Sequence, residues 1–571
     1  MVDIEAQVRR LGATGDWPAP HLLLWEATDL YDYILETQSL SVVRGASVLL
    51  DLFCEHVDEV LRDAAIDEDH YALVQASASK VVLVVRDEQV AAVAGPALHA
   101  RFQQPPFRGA SAWVSAPLDA TPVATQIAAL SARIVLQRMR QLDVDTGGYP
   151  TPLDPGVAGV DPIDGVRLVP RDAPATRTLT ADDDEGLRLS DHTRPLFRVG
   201  QQHRFGLAEA LYTRWCQRQG DEYHGSTWTL SQWASLAEEQ PIRSTDRPFP
   251  DGTRFLQDFQ TLGQASRLPG YIAVIEADGN SFSRWMAQFS GVADIARAAA
   301  VLERAIHDAL VTALDPELAA MHAAITAGGQ AVQQAQLIVS AGDEFVVVLR
   351  GDRGLPAALD FLSAWPDAAR RAADDFGLVC DRPLHTHGFG LGLVISHATT
   401  PIRHLRRAAH ELLEEAKERA RQTPPADGQA SSALDFALLK SHDVPPDGVV
   451  KEREHWLSSP GSDRKIHRGP RPPAELSALV DLARHLLDQG FPQRQLERRA
   501  AWLSGPWLEG NAAWKDRPRW SDDAKAIVET LPDRWRGWLT KAGDPAIFEL
   551  RDLLDLVAVE DRQATGQGGR P

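Results

Sequence analysis

The chain has 571 residues, 44% hydrophobic and 24% charged, a composition ordinary for a globular protein but too long for one core, so three or four domains are expected. With 79 acids against 59 bases the formal net charge is −20, which argues against non-specific nucleic-acid binding by the isolated chain; RNA contact would need a local basic patch or partner subunits. No apolar run is long enough to cross a bilayer, Met1-Val2-Asp3-Ile4-Glu5 is no signal peptide, and Cys54, Cys216 and Cys380 are isolated, so no membrane association, disulfide framework or multi-cysteine zinc site is expected and a cytoplasmic setting fits.

Leu22-Leu23-Leu24-Trp25-Glu26-Ala27 reads as the first strand, and Val43 to Leu50 as a long apolar segment. Leu73 to Val85 has the pattern of a hairpin, two apolar strands about a polar turn, without acids at its tip, so it can hold no metal. Residues 1–140 form this first domain. From Asp143 to Ser190 the chain is rich in Pro, Gly and Asp with little periodicity and reads as a long loop. Helical patterning resumes at Gln201 to Arg218 and at Leu230 to Glu239, giving a linker and small helical domain over 141–265.

The third domain, 266–445, carries the chemistry. Tyr271-Ile272-Ala273-Val274-Ile275-Glu276-Ala277-Asp278-Gly279-Asn280 is a short apolar run ending in an acid and a glycine, as a buried strand does on reaching an exposed edge. It delivers Asp278. Leu337-Ile338-Val339-Ser340-Ala341-Gly342-Asp343-Glu344-Phe345-Val346 then reads as strand, tight Gly-Asp turn and strand, with two carboxylates at the tip. Taken alone, each segment has a bland reading: Gly-Asp turns are common for conformational reasons, and a strand-end acid often caps the next helix. Together and in this order, Asp278, Asp343 and Glu344 suit Mg²⁺ or Mn²⁺, hard ions that take oxygen ligands and pair in two-metal attack on phosphorus. Gly388 to Ser396 is a glycine-punctuated strand, followed after Pro401 by a helix from Arg403 to Arg421 with a 3.6-residue apolar period. Lys417 and Arg421, four apart, either meet a triphosphate or form a solvated basic edge. Beyond a polar stretch the domain 446–571 is helical, for instance Ala474 to Gln489 and Asp522 to Leu531, the latter ended by Pro532.

Other motifs carry less. His385-Thr386-His387 alternates like two ligands on a strand but has no third, and His442-Asp443 is a bare dipeptide. Arg464, Lys465, His467, Arg468 and Arg471 make one basic stretch, better read as a solvated loop. There is no Gly-x-x-x-x-Gly-Lys phosphate loop and no Gly-x-Ser-x-Gly elbow.

Ala341-Gly342-Asp343-Glu344-Phe345 is one residue from the Gly-Gly-Asp-Glu-Phe signature of diguanylate cyclases, and Asp278-Gly279-Asn280-Ser281-Phe282 resembles their Asp-x-Asp-x-Phe. The chain as a whole is more similar to the large polymerase-cyclase subunit of type III CRISPR effector complexes, whose palm carries Gly-Gly-Asp-Asp at the hairpin and Asp-Gly-Asp-Asn at the first strand. The long gap between the acidic segments, Ile395-Ser396-His397 running to Pro401, Glu415-Ala416-Lys417 on the helix and Ser431-Ser432-Ala433-Leu434-Asp435-Phe436 after it all favour this family, as do Asp32 to Glu36 and Val43 to Leu50, which resemble the entry to its first palm's long helix.

The resemblance implies an α/β (α+β) fold with two ferredoxin-like palm domains, the N-terminal one degenerate, and helical middle and C-terminal domains. It implies metal and catalytic roles for Asp278, Asp343 and Glu344, with Gly342, Asn280, Ser340, Lys417 and Arg421 around the nucleotide. ATP is the implied substrate and a cyclic oligoadenylate the product class, in antiviral signalling, with CRISPR RNA and other effector subunits as possible partners. Relatives often begin with a His-Asp nuclease domain; the first strand near residue 21 leaves no room for one here, so no DNase activity is expected. The departures are Asn280 for an acid, Ala341 for a glycine and Glu344 for an aspartate. Ser283-Arg284-Trp285-Met286 stands where diguanylate cyclases place the Asn-Asp pair that selects guanine, so guanine is disfavoured. A catalytically weak scaffold of a ribonucleoprotein, and a cyclase making a cyclic dinucleotide, are the alternatives.

Overall fold

A computed structural model describes residues 4–141 (without 29, 36, 38 and 78), 187–221 (without 203–205), 258–327, 333–422, 431–440, 447–457, 469–492 and 522–540, with short pieces such as 157–160, 167–170, 175–176 and 552–554. The helix expected at Leu230 to Glu239, the His442-Asp443 dipeptide and Arg464, Lys465, His467 and Arg468 lie outside the described residues. The fold is mixed α/β with one four-stranded and one five-stranded sheet, and it divides into two compact units. One comprises Met1–Asp258, Ser281–Val347 and Ala364–His387; the other comprises Phe259–Asn280, Val348–Ser363 and Gly388–Pro571. No helix among the described residues is long and apolar enough to cross a membrane.

In the first unit, β1 (His21–Ala27), β2 (Tyr71–Ser77), β3 (Lys80–Val85) and β4 (Ser111–Pro117) form a sheet of order β2-β3-β1-β4. Helix Leu40–Glu55 connects β1 to β2, and helix Glu88–Gln103 connects β3 to β4, a βαββαβ path. His21 to Trp25 and Val81 to Val85 are buried without alternation, because helices cover both faces. Trp25 points to one face, where it meets Phe53 and Phe102 at ring distances of 4.6 and 5.1 Å, with Phe107 5.2 Å from Phe53. Glu26, on the opposite face, meets Ser131 of helix Val123–Gln141.

Two features close this unit. Helix Thr193–Gln202 crosses Leu40–Glu55 at a glycine contact: a Cβ on Gly45 would run into the Leu196 carbonyl, and one on Gly200 into that of Ser41. Asp308, buried on helix Val292–Ala313, binds Arg214 and Arg218 (2.9 Å) of helix Ala208–Gln219 as well as Arg304 (3.2 Å). The sequence pattern over 201–218 suggested one helix; the chain makes two, because Gly206 adopts φ +60° just before the second. The loop expected over 143–190 contains two small antiparallel pairs, β5 (Val157–Val160) with β6 (Leu168–Pro170) and β7 (Ala175–Thr176) with β8 (Leu187–Arg188). Strands so short carry no apolar period to read.

The second sheet has β9 (Tyr271–Gly279), β10 (Ala335–Ala341), β11 (Glu344–Arg350), β12 (Phe389–His397) and β13 (Ala433–Leu438) in the order β10-β11-β9-β12-β13. Its first four strands repeat the order of the first sheet, and β13 adds in parallel to β12. In the second unit, Ala273 and Leu393 take one face, under Gly354 at the start of helix Gly354–Asp375, with Phe361 against Phe389 at 5.1 Å. Helix Ile402–Gln422 covers the other. Asp435 of β13 is buried and bound by Arg453 at 2.8 and 3.0 Å, which anchors helix Val449–Leu457. Helices Pro473–Asp488, Asp522–Thr530 and Asp533–Thr540 follow, with Pro532 between the last two as the sequence suggested. His385 is not on a strand: Leu384–Thr386 is a 3-10 turn after Pro383, so the alternation expected for His385 and His387 does not arise.

The glycine crossing gives a stability test. Gly45→Ala should lower stability by about 1–3 kcal/mol through overpacking. Gly12→Ala, in helix Ile4–Ala13 with open space around its Cβ position, should be neutral or stabilising by up to ~1 kcal/mol. Denaturant melts followed by circular dichroism separate the two; equal effects would contradict the packing described.

Candidate functional site

The glycines of β12 decide what can lie above them. Gly390 pairs with Asp278 and Gly392 with Glu276 across the antiparallel β9–β12 ladder, so these four positions share one face. A Cβ on Gly392 would run into the Ala409 carbonyl, and one on Gly390 into the Lys417 side chain. Helix Ile402–Gln422 therefore lies at backbone contact with the strand. That helix buries Leu405, Ala408, Ala409, Leu412, Leu413, Ala416 and Ala420, and presents Arg406, His410 and Lys417 beside this stripe.

Both strand acids meet those bases. Glu276 is fully buried and accepts from Arg406 (2.7 Å) and from the His410 Nδ1 (2.9 Å). Its Oε2 is buried with no hydrogen-bond partner among the described residues. Asp278 accepts from Lys417 Nζ at 2.8 Å, with the carboxylate 30% and the lysine 15% exposed. Glu414 stands 3.6 Å from the same ammonium. The bond from Glu276 raises the pKa of His410, its burial opposing. For Lys417, burial works against the charge, but Asp278 and then Glu414 outweigh it and the pKa rises.

The acidic hairpin tip belongs to the first unit. Gly342 has φ +62° with nothing within 4 Å of a Cβ position, so the glycine is there for its backbone conformation. Asp343 is not among the positive-φ residues; a positive φ at the first turn position alone is the II′ hairpin pattern. Ala341 ends β10 without a positive φ, so the alanine fits where the related signature has glycine. Asp343 and Glu344 are half-buried. Ser340 meets the Nε2 of His307 at 3.2 Å, and burial pushes the His307 pKa down to about 4.

Of the residues singled out in the sequence, the structure brings Lys417 to Asp278. Arg421, one turn further, is exposed and pairs with Glu418 at 3.3 Å. Asn280 donates its side chain to the Ser431 carbonyl (3.0 Å) and its backbone N–H to that of Gly388 (2.8 Å), tying the end of β9 to the strands beside it. The next residue, Ser281, takes φ +65°, rare for a side-chain-bearing residue, as the chain turns sharply after Asp278. Among the described residues no three His, Cys, Asp or Glu side chains are gathered as a metal cage. The chemistry of Asp278 is of the kind a hard cation takes: it is an oxygen donor, partly exposed, and already attracts one positive charge, the Lys417 ammonium.

No family model matches the chain, and no curated protein does either. Among solved structures it is similar to the Csm1-Csm4 cassette in complex with cA4, at 12% identity and TM-score 0.44, over 96% of this chain and 72% of that chain. The apo Csm1-Csm4 cassette matches at 13% and TM-score 0.45 with the same coverage, 96% and 72%. The cassette in complex with one ATP matches at 13% and TM-score 0.44, over 91% of this chain and 72% of that one.

Sequence reasoning passed over Glu276, Arg406 and His410. The signal was present: an acid inside an apolar strand two residues before Asp278, and two bases sharing a helix face with Lys417. Removing Glu276 takes from the largely buried Arg406 guanidinium its buried carboxylate partner, so Glu276→Ala should cost about 3 kcal/mol, and more than Arg406→Met, in denaturant melts. His410 gives a pH signature. Its folded pKa lies above its unfolded one, so its contribution is complete below the unfolded value, ~6.5, and disappears as pH rises through the folded value. The stability gap between wild type and His410→Gln should widen as pH falls through that window; a pH-independent gap contradicts the pairing.

Proposed function

We propose that this chain is a palm-type nucleotidyl cyclase that joins nucleoside triphosphates, ATP foremost, into a cyclic oligoadenylate-type messenger. The observation that carries the reading is a strand-end carboxylate, Asp278, facing a helix lysine, Lys417, over a glycine-lined strand, in a sheet whose next strand begins at an acidic turn. In the first sheet the end of β1 lies opposite the start of β3, Glu26 against Lys80. The second sheet repeats that strand order. On this reading Asp278, at the end of β9, and Asp343 and Glu344, at the turn into β11, act together as the acids of one site.

Those three acids would hold Mg²⁺ or Mn²⁺, which when bound would supply positive charge that acidifies a ribose hydroxyl for attack on the α-phosphate of another nucleotide and steadies the pyrophosphate that leaves as the α–β bond breaks. The chain's own residues do the rest. Lys417 neutralises charge on the β- and γ-phosphates. Gly342, with open space where a side chain would be, leaves the hairpin backbone accessible to a phosphate. Ser340 stands beside His307 of helix Val292–Ala313, whose burial favours the neutral imidazole, so this contact adds no positive charge beside the strand. Asn280 keeps the end of β9 in register with its neighbours, which fixes where Asp278 points. Both sheets are read as palms, the N-terminal one lacking hairpin acids. The same reading puts the product in antiviral signalling, with CRISPR RNA and effector subunits as candidate partners.

Incubation of the purified chain with Mg²⁺ and each NTP, followed by mass spectrometry, tests this. Cyclic adenylates should form from ATP and fall by roughly two orders of magnitude or more in Asp343→Ala. No product from any NTP, alone or with target RNA and partner subunits, would leave the scaffold reading in its place.

A further inference from the structure

Lys417 is not a loose surface lysine. Its stem lies over Gly390, where even a Cβ would collide with it, and its ammonium is delivered to Asp278 with 15% of the side chain exposed. Around it stand Asp278, Glu414 at 3.6 Å, and Arg421 as a weaker repelling charge. We infer that Lys417 is a resident counter-ion that closes Asp278 to bare divalent cations and yields it only to a metal–nucleotide complex. This rests on Asp278 being a metal ligand, as proposed above.

The argument is one of charge partners. A bare divalent ion that takes Asp278 displaces the ammonium and leaves a largely buried lysine facing a like charge, with Glu414 as its remaining acidic neighbour. A largely buried cation left with only that more distant, half-exposed partner is costly. A metal nucleoside triphosphate brings its own anion. As Asp278 changes partner from ammonium to metal, Lys417 changes partner from carboxylate to phosphate. One ion pair is exchanged for two, and no charge is left alone. The site thus discriminates between the ion and its nucleotide complex without any residue that touches the base.

The first unit shows what permanent closure looks like. Glu26 at the end of β1 is held at 2.9 Å by Lys80, its cross-strand partner on the hairpin, and Ser131 donates to the same oxygen at 3.1 Å. There the lysine stands at the first position of the returning strand, where β11 has Glu344. In the second sheet the lysine comes from the helix instead, and the hairpin keeps both acids. That arrangement can open.

Mn²⁺ binding read by electron paramagnetic resonance tests the exchange, with Mn²⁺ alone and with α,β-methylene-ATP, on wild type, Lys417→Met, Lys417→Gln and Lys417→Arg. Removing the charge should tighten binding of bare Mn²⁺ about tenfold and weaken uptake of the Mn²⁺–nucleotide complex by a similar factor. Lys417→Arg should keep the weak wild-type affinity for the bare ion. Unchanged or weaker bare-Mn²⁺ binding in both neutral variants, with nucleotide-dependent Mn²⁺ binding still lost in Asp343→Ala, overturns the exchange and leaves the cyclase site standing. A wild-type chain that takes up no Mn²⁺ even with nucleotide overturns both.

Discussion

The close approach of helix Ile402–Gln422 to β12 is the constraint on which the Asp278 region depends. It exists because Gly390 and Gly392 present no side chain to the helix, so its backbone can sit where a Cβ would otherwise be. Only at that separation do Arg406 and His410 reach the buried Glu276, and Lys417 the carboxylate of Asp278. The three bases share a helix face and the two acids share a strand face, so a rotation of the helix would break all these pairs together. A fully buried carboxylate is a costly way to anchor a helix, and pairing it with two hydrogen-bond donors offsets the desolvation.

The two sheets make an instructive contrast. They have the same strand order over four strands, and in each a strand-end carboxylate is held by a lysine. What differs is the element that supplies the lysine. In the first sheet it comes from the hairpin, so the hairpin tip is basic. In the second it comes from the helix after β12, so the tip retains two acids. Fold and charge arrangement are separable: the same topology carries a closed end in one copy and an acidic end in the other.

Much of this was legible from local pattern. β9 stands out as an apolar run ending at Asp278-Gly279, the hairpin as strands about Gly342-Asp343, and the long helix by its 3.6-residue stripe. Signals of this kind work because strand and helix periods are imposed by local backbone geometry. Less was legible where the determining contact is distant in the chain. Glu276 looked like one acid in an apolar strand, and its partners lie far along on a helix that shows the same basic residues whether they face solvent or sheet. Lys417 and Arg421 looked equivalent, being one turn apart. The helix places the first over Asp278 and leaves the second exposed beside Glu418.

By itself the sequence determined the element types, the turn at Gly342, the absence of acids from the first hairpin and the presence of Asp278, Asp343 and Glu344 at or beside strand ends. These follow from residue chemistry and short-range spacing, which no tertiary contact alters. Only the tertiary structure decided which charges meet. The β9–β12 register sets Gly390 against Asp278 and Gly392 against Glu276, and the contact distance above those glycines selects Lys417 as the counter-ion of Asp278. Ion pairs act over a few ångströms in space, and separation along the chain says nothing about that distance.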